Sequence, residues 1–271
     1  MPSIQFLFLF AALGCVVGFA AGLLGIGGGG IAVPALTALF MAMGLPRGEV
    51  VHLALGTSMA AMIVTAFSSM RSHYRRGNVI VPVVRALAPG IVIGTFIATF
   101  VAGQLGSRAL ALFFAGFMAF ASMQMLWGVG RRQGTRPLLP AAALFGSGLV
   151  IGAVSALVSI GGGSLTVPFL HWQSVDIKKA IGTSSAVGFP IAVAGTLGYA
   201  INGILAGRGG SQLALTAGFV YLPAAVLLAC GSYFLAPVGA AVAQKLDVAP
   251  LKRIFGLLLL GLSLKMLFSV L

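Results

Sequence analysis

The chain has 271 residues, of which 59% are hydrophobic and only 7% charged, against about 25% charged in an ordinary soluble domain. This balance excludes a soluble globular domain and points to a polytopic membrane protein. The net charge of +13 does not indicate a nucleic-acid partner, because the basic residues stand singly or in twos and threes between apolar spans, where they act as topology signals.

Apolar segments cover 3–24, 31–43, 51–70, 79–103 and 109–128, and then 138–158, 164–172, 179–202, 211–236 and 252–270. Their continuous apolar character predicts an all-α fold, since a β-barrel would show alternating segments of about ten residues. Segment 3–24 lacks the basic residues that open a signal peptide. It is expected to remain as a helix, although Ala-Leu-Gly-Cys ending at Cys15 has the look of a cleavage box. Cys15 and Cys230 lie in apolar spans without metal-ligand spacing, so no disulfide framework, metal site or cofactor is expected.

After the first segment comes Gly25-Ile26-Gly27-Gly28-Gly29-Gly30-Ile31-Ala32-Val33-Pro34. After segment 138–158 comes Ser159-Ile160-Gly161-Gly162-Gly163-Ser164-Leu165-Thr166-Val167-Pro168. Glycine costs roughly 1 kcal/mol per position inside a helix, so each run predicts a break. A break at membrane depth is tolerated only where the freed backbone faces protein, water or ligand. The proline that follows suits the first turn of a new helix. Segments 31–43 and 164–172 are too short to cross about 30 Å of hydrocarbon and read as half-helices. Their glycine N-termini present unpaired amides and a positive dipole end to an anion. Gly14, Gly18 and Gly22 differ: four apart on one face, they are spaced for close helix packing.

The sequence repeats across its midpoint. The two glycine-to-proline stretches correspond, as do Gly56-Thr57-Ser58 and Gly182-Thr183-Ser184, and Pro89 and Pro223. This gives a first membrane repeat over 1–130, a basic cytoplasmic linker over 131–137 and a second repeat over 138–271. Arg71, Arg75 and Arg76, then Arg131, Arg132 and Arg136, then Lys178 and Lys179, and finally Lys245, Lys252 and Arg253 crowd alternate connections. Placing these loops in the cytoplasm predicts three full crossings per half plus a glycine-rich broken or re-entrant helix pair. Three is odd, so the halves are expected to be inverted repeats with both termini outside and the glycine tips near the midplane.

The candidate anion-binding backbone is therefore Gly27, Gly28, Gly29 and Gly30 with Gly161, Gly162, Gly163 and Ser164. Thr57, Ser58, Thr183, Ser184 and Ser185 offer hydroxyl donors to complete a neutral cage. Hydroxyls in membrane helices also bond to backbone carbonyls, the alternative reading for each. The carboxylates, Glu49, Asp176 and Asp247, all fall in loops, which favours an anionic substrate and offers no intramembrane acid. His52, at the start of its span, is a candidate for proton coupling, and Arg85 for drawing anions to the inner mouth. His171, Trp172, Tyr199 and Tyr221 read as interfacial anchors or packing residues. Gly25 to Gly30 satisfies G-x-G-x-x-G, but it follows a membrane-length span instead of a short strand, so a dinucleotide site is rejected. No metal cluster or nucleophile–base pair can be assembled.

At these paired glycine-to-proline stretches and Gly-Thr-Ser triplets the chain resembles the TauE/SafE family of sulfite exporters, also called the toluene-sulfonate uptake permease family. The resemblance extends over nearly the whole chain. It implies a carrier of sulfite, sulfonates or related organosulfur anions in the bacterial inner membrane, with no enzymatic activity. The expected partners are the bilayer and a small anion. A passive anion channel on the same scaffold is the first alternative, and a membrane-embedded enzyme the second.

Overall fold

The computed structural model describes residues 4–24, 28–127, 137–207, 213–243 and 248–270. Among them the chain forms ten helices: α1 (Ile4–Leu24), α2 (Gly29–Ala42), α3 (Val50–Arg75), α4 (Val81–Gln104) and α5 (Ser107–Trp127), then α6 (Ala141–Val158), α7 (Gly163–Trp172), α8 (Ile177–Leu205), α9 (Leu222–Ala243) and α10 (Val248–Val270). Seven of the helices are long and apolar enough to cross a membrane. The two shortest, α2 with 14 residues and α7 with 10, reach only about 21 and 15 Å at 1.5 Å per residue.

One expected segment divides. Instead of a single helix through 211–236, the short strands β1 (Thr216–Ala217) and β2 (Val220–Tyr221) pair antiparallel ahead of α9. Gly218, at φ 58°, reverses the chain between them. Its Cα lies against the Ala200 carbonyl, where a side chain has no room.

Helix directions follow from facing residues. Gly14, Gly18 and Gly22 of α1 meet the backbone of Leu228, Ser232 and Ala236 in turn, so α1 and α9 run parallel. Gly90 and Gly94 of α4 face Phe145 and Leu149 of α6, while Gly148 and Gly152 of α6 face Leu87 and Ile91, so these two are parallel as well. Both are small-residue contacts that let backbones approach closely. Corresponding helices of the two halves pair differently. Gly56 of α3 abuts Tyr199 of α8, Met59 abuts Gly195, and the Phe67 and Phe189 rings lie 5.6 Å apart, so α3 and α8 are antiparallel. In α5 and α10, Ser122 donates to the Gly256 carbonyl at 2.6 Å and Ser263 to that of Ala115 at 2.9 Å, again antiparallel.

α3 and α8 are the most buried of the spans, at 72% and 61%. Phe10, Phe40 and Tyr221 close the core beside α3 in a three-ring cluster with centroids 6.0 Å apart. Large apolar side chains such as Phe8, Phe234 and Phe268 point outward, the expected surface for lipid. Since α1, α3 and α9 run one way and α4, α6 and α8 the other, α2 and α7 each carry the chain back along its preceding helix. The breaks thus form the tips of two helical hairpins.

Candidate functional site

Helix α6 ends at Ser159, whose backbone takes the left-handed conformation (φ 50°) while its amide donates to the Ser155 carbonyl. Gly162, at φ 77°, then starts α7, and its carbonyl accepts the Leu165 and Thr166 amides at 3.2 and 2.7 Å. In the first half Gly28 does the same for Ile31 and Ala32, at 3.2 and 2.9 Å. Neither helix start has a side-chain cap, so the opening amides point beyond the helix end. Gly27 lies outside the described residues.

The two breaks touch. The Cα of Gly29, the first residue of α2, lies against the Ser159 carbonyl so closely that a Cβ has no space. On the other side of the second break, Gly188 of α8 abuts the Gly161 carbonyl, and Met62 Sδ of α3 approaches Gly161. Gly28 and Gly30 face apolar groups, Val17 for the first and Leu259 and Met118 for the second.

A cavity of about 470 Å³ ends at the second break, with Gly161, Gly163, Ser184 and Ser185 in its wall. Among the described residues its lining contains no carboxylate. Ser185 donates to the Ile181 carbonyl at 3.0 Å. Around the same break the hydroxyls of Ser155, Ser164 and Thr166 are buried without a hydrogen-bond partner. Such orphaned hydroxyls in a dry interior cost free energy unless something else supplies the bond.

A sequence profile described as "Sulfite exporter TauE/SafE" matches residues 10–266. The chain belongs to the TauE/SafE family. It is 34% identical over 263 residues to a probable membrane transporter protein of Haemophilus influenzae, covering 96% of this chain and 98% of that one. It is also 25% identical over 269 residues to the probable membrane transporter protein MJ0441 of Methanocaldococcus jannaschii, covering 96% and 94%. With the probable membrane transporter protein YdhB of Bacillus subtilis it shares 27% over 201 residues, 71% of this chain and 77% of that protein. No solved structure matches the chain. This TauE/SafE protein is thus a multi-pass membrane transporter.

Other residues singled out from the sequence stand elsewhere in this TauE/SafE fold. Thr57 and Thr183 are fully buried and accept backbone amides across the halves: Thr57 from Tyr221, Thr183 from Ile80, both at 3.0 Å. Ser58 is buried beside Thr57, off the cavity wall. His52, 2% exposed, donates through Nε2 to the Ala102 and Leu105 carbonyls at 2.9 and 3.0 Å and stacks on Phe219. It secures the C-terminal end of α4 and does not line the cavity. Arg85 is exposed and away from the cavity wall. Tyr199 and Tyr221 are core residues, the former donating to the Ala156 carbonyl at 3.0 Å. His171 approaches the Val175 carbonyl at 3.2 Å, while Trp172 is half exposed.

Sequence reasoning passed over Thr65, Ser68, Ser69, Ser72 and His73 of α3, which the structure brings to the cavity together with the cap residue Arg76, read from the sequence only as a topology signal. Their steps of three and four residues place them on one face of a helix. That periodicity was available as a signal, but it straddles the end of the apolar segment 51–70, where polarity reads as solvated helix end.

Proposed function

We propose that this protein is a secondary carrier that exports a small sulfur-containing oxyanion by alternating access. The single observation that carries the reading is the cavity ending on Gly161 and Gly163, walled by the Ser184 hydroxyl and with no carboxylate among the described residues of its lining. Amides at a helix start together with hydroxyl donors make a neutral cage suited to an oxyanion. The Ser155, Ser164 and Thr166 hydroxyls beside it are buried without partners and supply further donors to such a ligand.

The halves are read as inverted copies joined by the basic linker. The antiparallel pairing of α3 with α8 and of α5 with α10 supports that reading. So does the exchange in which α1 of one half packs on α9 and α6 of the other packs on α4. An inverted pair with contacting hairpin tips can rock to expose a central site first to one side and then to the other. With the arginine-rich end of α3 in the cytoplasm, both termini lie outside and the cavity faces inward.

The test is efflux from proteoliposomes loaded in turn with sulfite, sulfate, thiosulfate, taurine and sulfoacetate. Saturable efflux of a sulfur anion, with exchange against the same anion outside, is expected. Non-saturating current without exchange would mean a channel, and chemical alteration of the solute an enzyme; either result overturns the carrier.

A further inference from the structure

We propose that the polar stripe of α3 is an oxyanion access route, with Arg76 and His73 as the capture pair at its mouth. The proposal rests on the carrier reading and names the path by which its substrate reaches the second break. The stripe and the tip share one cavity: Arg76 stands at its exposed rim, His73 and the serines line its wall, and Gly161 and Gly163 close its inner end.

Three observations separate this from an ordinary solvated helix end. The arginines are not equivalent, since Arg71, Arg75 and Arg76 are all exposed but Arg76 alone among them lines the cavity. The His73 Nδ1 atom is buried without a hydrogen-bond partner, a polar atom held ready for a ligand or water in a wall that also carries five serines. The stripe also belongs to one half only. Aligning the two Gly-Thr-Ser triplets sets Thr65, Ser68, Ser69, Ser72, His73 and Arg76 against Ile191, Ala194, Gly195, Gly198, Tyr199 and Asn202. The equivalent face of α8 thus has no serine or threonine and no cation, and it packs: Gly195 on Met59, Gly198 on Thr99, with the Tyr199 hydroxyl donating to the Ala156 carbonyl and the Asn202 amide to that of Thr99. Helix packing therefore does not require the hydroxyls on α3. The Thr65 hydroxyl donates to the Met62 carbonyl at 3.0 Å, but a row of serine hydroxyls behind one guanidinium is the arrangement that passes an anion inward while shedding its water stepwise.

The route is tested by thiol chemistry, independently of transport. In a protein with Cys15 and Cys230 replaced by alanine, Ser69→Cys and Ser72→Cys are reacted in membrane vesicles with an anionic sulfonatoethyl and a cationic trimethylammonioethyl methanethiosulfonate. Each rate is normalised to that of a free thiol. The anionic reagent is expected to be preferred at both positions. Arg76→Gln should lower the preference roughly 5-fold, as for one charge removed nearby in a partly aqueous site, whereas Arg71→Gln should leave it unchanged. Equal normalised rates, inert thiols at both positions, or equal effects of the two arginine variants would overturn the route even if sulfur-anion efflux stands. Preserved anion preference with no efflux would overturn the carrier reading instead and leave the route in place.

Discussion

The Thr57 hydroxyl accepts the Tyr221 amide at 3.0 Å. The bond ties the third helix of the first half to the turn that starts the fourth helix of the second. Its counterpart is Thr183, which accepts the Ile80 amide ahead of α4 at the same distance. The glycine before each threonine admits the same turn, Gly56 against the Phe219 carbonyl and Gly182 against that of Asn78. The Gly-Thr pairs are therefore reciprocal sockets between the halves. Replacing Thr57 or Thr183 with valine leaves an amide unpaired and should cost about 1–3 kcal/mol. The loss should be larger at the fully buried Tyr221 amide. Thermal unfolding in detergent measures it, and an unshifted midpoint for both variants would refute the socket.

The contact between hairpin tips predicts a sharp contrast between neighbouring glycines. A methyl at Gly29 would collide with the Ser159 carbonyl, which is backbone and cannot give way. At Gly30 it would meet the ends of the Leu259 and Met118 side chains, at 3.1 and 3.3 Å, and these can shift. Gly29→Ala should therefore abolish anion efflux, while Gly30→Ala should retain at least about half of it, since flexible core side chains absorb small volume changes at modest cost. Equal activities would show that the tips need not touch.

Arg75 and Arg108 are exposed at the C-terminal end of α3 and the N-terminal end of α5, with α4 between them. Single cysteines at these two positions, in a protein lacking Cys15 and Cys230, should be labelled from opposite sides of the membrane. Position 75 should react from the cytoplasm, following the charge rule. Labelling of both from one side would rule out α4 as a full crossing.

Export of an anion from a negative interior is electrically downhill by about 2.3 kcal/mol per charge per 100 mV. Efflux from liposomes should thus respond to an inside-negative potential without any pH gradient. The charge moved per turnover should equal that of the substrate. Efflux that ignores voltage but requires a proton gradient would contradict this.

His52 provides the companion experiment. Its Nε2 bonds hold the end of α4, and its ring stacks on Phe219 at 5.0 Å. His52→Phe keeps the stacking and removes the bonds. It should lower stability by about 1–2 kcal/mol and leave the voltage response of the folded protein unaltered. Loss of a proton-dependent component of efflux would instead assign His52 to coupling.

Composition and hydropathy were enough to determine a polytopic helical membrane protein, since lipid admits few other ways to satisfy the backbone. The glycine runs determined where α1 and α6 stop and where α2 and α7 start, because a helix cannot absorb consecutive glycines cheaply. The Gly14–Gly18–Gly22 face was legible for a similar reason, as only close backbone contact rewards that spacing. Partners across the fold were not legible. Nothing local in Gly-Thr-Ser distinguishes a hydroxyl that meets a substrate from one that meets the amide of Tyr221 or Ile80, because those partners are more than a hundred residues away. Nor does the chain announce that Arg76 and not Arg85 reaches the cavity, since each is an exposed cation near the end of an apolar span. Local chemistry determines where the chain must break and which segments enter lipid. Only the packing of one half against the other decides which polar groups are used up as structure and which remain for an anion.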